Sequence, residues 1–276
     1  MVRRIINTIH RDLLLQTMYK LKDWIDQDKI YWTWFSLNPA ALTLLENNQD
    51  KIDWTQLSAN QSARAIALLE KNQNEIDWTQ LSANPSALTL LEKNQDNIDW
   101  SWLSANPSAR AIALLENNQK KIDWYWLSGN PSALTLLEKN QDKINWIQLS
   151  ANPSALSLLE KNQDEIYWTR LSANPSARAI ALLEKNQDEI DWTQLSSNPS
   201  ALTLLENNQK KINWSQLSAN PSARAIALLE KNQNEIDWTQ LSANPSAISI
   251  LEKNQYKIDW IRLSENPAIF EYDYKE

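Results

Sequence analysis

A tryptophan followed three and four residues later by a bulky apolar residue and a serine occurs eleven times in this chain, at positions 32, 54, 78, 100, 124, 146, 168, 192, 214, 238 and 260. A unit of only 22 or 24 residues is too small for a private core, so its apolar face must be buried on its neighbours, and the fold must be a stacked array. The spacings run 22, 24, 22, 24, 22 twice over. Trp32 to Trp146 and Trp146 to Trp260 therefore each span 114 residues, and the array is a duplicated block of five units.

The helices of a unit can be read from their caps. Asn84 suits an N-cap, and Pro85 suits the first helical position, where a missing N–H costs nothing. Ala87, Leu88, Leu90 and Leu91 then predict a helix of about three turns with one apolar face, ended by Asn94 in the left-handed conformation glycine usually takes. Asp77, with Gln80 three residues on, caps a shorter helix of one to two turns, α or 3-10. Asn106 and Asn130 repeat the role of Asn84 and are expected to stack as a ladder. Trp54, Trp78, Trp100, Trp124 and Trp146 read as core positions, because each follows an isoleucine and a cap and precedes a leucine. Apolar spacing of three and four, without β-branched runs, argues against strands. The expected fold is all-α, an α-solenoid of eleven 22/24-residue repeats, each a short helix plus a longer one.

The longer units replace Ala-Leu-Thr-Leu-Leu with Ala-Arg-Ala-Ile-Ala-Leu-Leu, and Arg64, Arg110, Arg178 and Arg224 mark the change. The distance from the core leucines to the following glutamate is unchanged, so the extra half-turn should be absorbed at the helix N-terminus. The repeated glutamates, among them Glu46, Glu70 and Glu92, lie near helix C-termini, where the macrodipole disfavours them. They should therefore bond to a backbone group, a hydroxyl or an indole N–H of a neighbouring unit.

An unbroken array has no place for a domain boundary. Residues 1–30 read as an N-terminal capping helix and lead-in, with Ile6, Leu14, Met18 and Leu21 on one face; 31–264 read as the solenoid, and 265–276 as a C-terminal cap and tail. The solitary glycine leaves no phosphate loop, the lone His10 has no catalytic company, and the absence of cysteine removes thiolate sites. No enzyme activity and no cofactor is expected. A net charge of −7 counts against nucleic acid, no apolar run is long enough to span a membrane, and the polar start argues against a signal peptide.

Function should lie where the units differ. Two residues after the repeated tryptophan the usual glutamine becomes Trp102 and Trp126, and Arg170 further along, while Tyr125 replaces a threonine or serine. Stacking should bring Trp102 close to Tyr125 and Trp126, and a rigid aromatic cluster of this kind is a candidate anchor for a protein partner. Self-association into a structural assembly is the alternative.

The block Leu-Ser-Gly-Asn-Pro-Ser-Ala-Leu-Thr-Leu-Leu-Glu-Lys-Asn-Gln-Asp-Lys-Ile-Asn-Trp (127–146), the opening Leu-Lys-Asp-Trp-Ile-Asp (21–26) and the closing Leu-Ser-Glu-Asn-Pro-Ala-Ile-Phe-Glu-Tyr-Asp-Tyr (263–274) resemble the tryptophan and Asn-Pro repeat proteins of giant DNA viruses of amoebae and algae. The resemblance spans nearly the whole chain, apart from Asn-Gln where Asn-Pro is common before Asp-Lys-Ile and Gln61 at a proline position. It implies a viral origin, an interaction role, and a location in the host cytoplasm or the virion.

Overall fold

A computed structural model describes residues 19–272. Numbering each unit from its tryptophan, unit 3 shows the common plan. A six-residue helix, Trp78–Ala83, is followed by the Asn-Pro-Ser turn and a second six-residue helix, Leu88–Lys93. A 3-10 turn, Gln95–Asn97, then leads to the next unit. Asp77 caps the first helix as its spacing predicts, its carboxylate accepting from the Gln80 N–H at 3.1 Å.

The second helix is shorter than the predicted three turns. Asn84 Oδ1 accepts from the Ser86 N–H at 3.0 Å and holds Asn-Pro-Ser as a turn, so the helix starts only at Leu88. In long unit 2, Ser62 becomes the N-cap and the helix runs Ala63–Lys71, placing the inserted residues at its N-terminus as expected. The helix ends differ from expectation. No described residue has a positive φ, and Asn94 sits at φ −129°, ψ 49°. Its side chain caps instead, Nδ2 donating to the Leu90 carbonyl at 2.9 Å and satisfying a group the helix end leaves unpaired.

Two side chains join each unit to the next. Ser58 Oγ donates to the Trp54 carbonyl at 2.8 Å and accepts from the Asp77 N–H of unit 3 at 3.0 Å. Asn84 Nδ2 reaches back to the carbonyls of Ser58 and Asn60, at 3.0 and 2.9 Å. Both residue types are buried throughout, so the expected ladder exists and runs through backbone carbonyls. The leucine after each tryptophan, such as Leu81 or Leu103, is fully buried. The repeated tryptophans are not: they are half-buried and pack against the core from its edge. Six of them carry a lysine from the following 3-10 turn over the ring, Lys121 lying 4.2 Å from the Trp100 centroid. The partner of the repeated glutamates also differs from expectation. In short units that precede a long one, Glu46, Glu92, Glu160 and Glu206 accept from the arginine of the next unit, and Arg110 adds a bond to Thr89 Oγ1 at 3.2 Å.

The described ends meet. Strand β1, Tyr19–Leu21, pairs antiparallel with β2, Phe270–Tyr272, with Leu21 opposite Phe270. The junction of unit 11 with unit 1 repeats the ordinary one in three bonds. The Tyr31 N–H donates to Ser264 Oγ at 3.1 Å, as Asp53 does to Ser36 at 3.0 Å. Asn38 Nδ2 donates to the Asn266 carbonyl at 3.2 Å, and Lys29 lies 4.9 Å over Trp260 as Lys51 lies 4.7 Å over Trp32. The α-solenoid therefore closes into a ring. Unit 11 is assembled from both ends of the chain, its first helix (Trp260–Leu263) from one and its 3-10 turn (Gln27–Lys29) from the other. Of the anticipated N-terminal capping helix, residues 1–18 lie outside the described residues, and 19–21 form a strand instead. Residues 273–276 of the expected tail also lie outside.

Candidate functional site

Ring closure gives the wall two different faces. From unit 1 to unit 11 consecutive tryptophan helices pack side by side, whereas consecutive second helices stand apart with open grooves between them, one of about 520 Å³ lined by Glu206, Arg224, Leu228 and Lys231. Equal numbers of elements around one axis are spaced further apart only at larger radius, so the tryptophan helices form the inner wall. Eleven helices at the usual packing distance of 8–10 Å set that wall at a radius of about 16 Å and leave a passage roughly 20 Å across.

Within a tryptophan helix the buried leucine and serine lie three and four residues after the tryptophan. At 3.6 residues per turn the opposite face carries the residues one, two and five positions after it, and these turn towards the passage. The predicted site residues all lie on this face. Trp102 and Trp126, from units 4 and 5, stack with centroids 5.5 Å apart and planes 20° from parallel, and Tyr125 meets Trp126 edge-on at 5.2 Å. Tyr125 is 44% and Trp126 38% exposed, while Trp102 is half-buried beneath its neighbour.

Arg170 lies two units on from Trp126 and does not touch the stack. Its Nη2 donates to Gln148 Oε1 at 2.8 Å, and its Nε is buried without a partner. Gln148, from unit 6, thus bridges the aromatic and basic ends of one belt: Trp102, Trp126, Gln148, Arg170. Gln148 is buried and was not singled out from the sequence, because glutamine is the ordinary residue there. The lone glycine, Gly129, faces it. A Cβ at 129 would meet Gln148 Oε1 at 3.5 Å, an ordinary contact, so neither backbone conformation nor space requires glycine.

A second departure appears only when the ring is assembled. The residue after one unit's tryptophan is placed by the stack opposite the residue before the next, and between units 9 and 10 Ser215 Oγ donates to the Asp237 carboxylate at 2.5 Å. That junction is usually threonine or serine against aspartate or asparagine. At two junctions both members change together, to Ile147 with Tyr167 and to Ile261 with Tyr31, all four exposed. The first pair adds exposed apolar surface to the belt at the junction of units 6 and 7. The second straddles the seam, beside Trp34 and Arg262.

The half-buried tryptophans at 54, 78, 100, 124 and 146, and the buried asparagines 84, 106 and 130, hold units together and lie away from the belt's exposed surface. No described helix is long and apolar enough to cross a membrane, and no three His, Cys, Asp or Glu side chains among the described residues converge as metal ligands would. Compared with known protein families, curated proteins and solved structures, the chain matches none.

Proposed function

We propose that this ring is a non-enzymatic scaffold that holds a protein partner on its inner wall, over Trp102, Tyr125, Trp126 and Arg170, acting in the cytoplasm of an infected host or in the virus particle. The observation that carries the reading is the exposed aromatic stack on a rigid wall: large, pre-ordered aromatic side chains anchor protein interfaces because they bury much area at little entropic cost. Four exposed large apolar residues, Tyr125, Trp126, Ile147 and Tyr167, fall in three consecutive units, an apolar patch of the sort that marks interaction sites.

The test compares proteins captured from a host lysate by this chain and by the variant returned to the repeat consensus, Trp102→Gln, Tyr125→Thr and Trp126→Gln. A discrete partner retained by the first and lost by the second supports the reading; identical captures sink it. The seam favours a second reading, self-association, since half-units that complete each other within one chain could equally join two. Light scattering separates the two readings: growth in mass with concentration supports assembly, and a constant monomer mass removes it.

A further inference from the structure

We infer that the belt over units 5–7 takes an extended acidic segment of a partner protein, one carboxylate lying on Arg170 and an aromatic or large aliphatic side chain covering Trp126. The inference rests on the binding reading above and adds the chemistry of the occupant.

Arg170 is, among the described residues, the arginine whose charge the ring leaves unmatched. Among the described residues, Arg64, Arg110, Arg178, Arg224 and Arg262 each lie against a carboxylate, whereas Arg170 has only the neutral Gln148. The contrast with Arg262 is informative, because the two occupy the same helical position. Arg262 bonds to Glu265 three residues on, at 2.6 Å, and that place is Ala173 in the unit of Arg170. A guanidinium with unfilled donors in a partly desolvated wall favours a bidentate carboxylate from outside.

The surroundings point the same way. The residue before the repeated tryptophan is an aspartate in seven units, at 53, 77, 99, 123, 191, 237 and 259, and the only neighbouring units that both lack it are 6 and 7, with Asn145 and Tyr167. The carboxylate row is thus interrupted where Arg170 stands, and an anion approaching there meets less repulsion than elsewhere on the wall. Geometry sets the length of the occupant. Two steps between packed helices are about 18 Å, which an extended chain covers in about six residues at 3.3 Å each. One such site is expected per ring, since the apolar patch at the seam has its arginine paired with Glu265, and among the described residues Trp34 has no stacked neighbour.

The test is selection of a random dodecapeptide phage library on the full chain, on Arg170→Gln, and on Trp102→Gln/Tyr125→Thr/Trp126→Gln, each first shown by circular dichroism to be folded. Peptides from the native ring should carry Asp or Glu roughly six residues from Trp, Phe, Tyr or Leu. Synthetic copies should bind Arg170→Gln on the order of tenfold more weakly, with Arg170→Lys in between. Acidic residues no commoner than in peptides selected on Arg170→Gln, or no binder at all, would overturn the inference. Peptides held equally by native ring and triple variant would instead overturn the belt itself.

Discussion

Asn152→Ala should cost about 4 kcal/mol, a large share of the stability of a typical domain. Asn152 is fully buried, and its side chain makes three bonds: Nδ2 to the carbonyls of Ser128 and Asn130, both 3.0 Å, and Oδ1 from the Ser154 N–H at 2.9 Å. Losing the Oδ1 bond removes a turn-closing hydrogen bond worth about 1 kcal/mol. The two carbonyls do not suffer equally. Asn130 O keeps the Ala133 N–H at 3.1 Å, so its loss is one net hydrogen bond, about 1 kcal/mol. Ser128 O has no other partner among the described residues, because Pro131 offers no N–H and the Ser132 N–H is taken by Asn130. Orphaning that buried acceptor adds about 1–3 kcal/mol. The control is Asn140→Ala, whose half-buried Nδ2 serves one helix-end carbonyl, Leu136 O, at 2.9 Å and should cost about 1 kcal/mol. Urea denaturation at constant m-value measures both. A loss below about 1 kcal/mol at Asn152, or parity with Asn140, would refute the claim that the asparagine ladder holds units together.

Trp126→Ala should cost about 1 kcal/mol because the ring lies on an exposed face, whereas Leu127→Ala, fully buried beside it, should cost about 3 kcal/mol, both by denaturation. Asn97→Lys places a cation where other units carry one over the preceding tryptophan, and should stabilise by about 0.5 kcal/mol with a change in Trp78 emission; no gain would mean that the six Lys–Trp contacts are incidental. Arg110→Gln breaks an ion pair in which the arginine is 53% exposed, and should cost under about 1 kcal/mol and less in high salt. Burial holds the Glu265 carboxyl above its ordinary value of 4.5, against the opposing pull of Arg262. A folded-state pKa that is raised gives stability present below the unfolded value and lost as pH rises through the folded one. The denaturation midpoint should therefore fall as pH climbs from about 4.5 towards neutral, and Glu265→Gln should flatten that part of the profile.

The unit was legible in the sequence because its signals are local. Asp77 caps where its spacing says, the insertion at Arg64 extends the helix start, and Trp102 stacks on Trp126 as neighbouring units require, whereas Asn84 closes a turn ahead of the helix it was expected to cap. Asn94 was misread because a side-chain bond to Leu90 O satisfies the helix end as well as a left-handed backbone would, and sequence alone does not separate the two. The Arg110–Glu92 pair was missed because it joins positions 18 residues apart whose proximity depends on how units stack. Closure was harder still. It is the sum of about 33° of rotation per unit, set by packing between whole helices rather than by any motif. A trace was nonetheless present: Asp26-Gln27-Asp28-Lys29-Ile30-Tyr31-Trp32 repeats the second half of a unit, and Leu263 to Ile269 repeats the first half. The Ile147–Tyr167 and Ile261–Tyr31 pairs became visible as pairs only once neighbouring junctions, and then the seam, were in place.

The central claim is that eleven units close on themselves, and the chain's lack of cysteine makes it direct to test with spin labels. Asp28, Asp50 and Tyr256 are the middle residues of the 3-10 turns that precede units 1, 2 and 11. In the ring, Asp28 is one step from each of the others, although only Asp50 is near it in sequence. Labels at Asp28→Cys with Tyr256→Cys should report the same short distance as labels at Asp28→Cys with Asp50→Cys. An open array would place the first pair about 90 Å apart at packed-helix spacing, and any distance of that order in a monodisperse sample would contradict the ring.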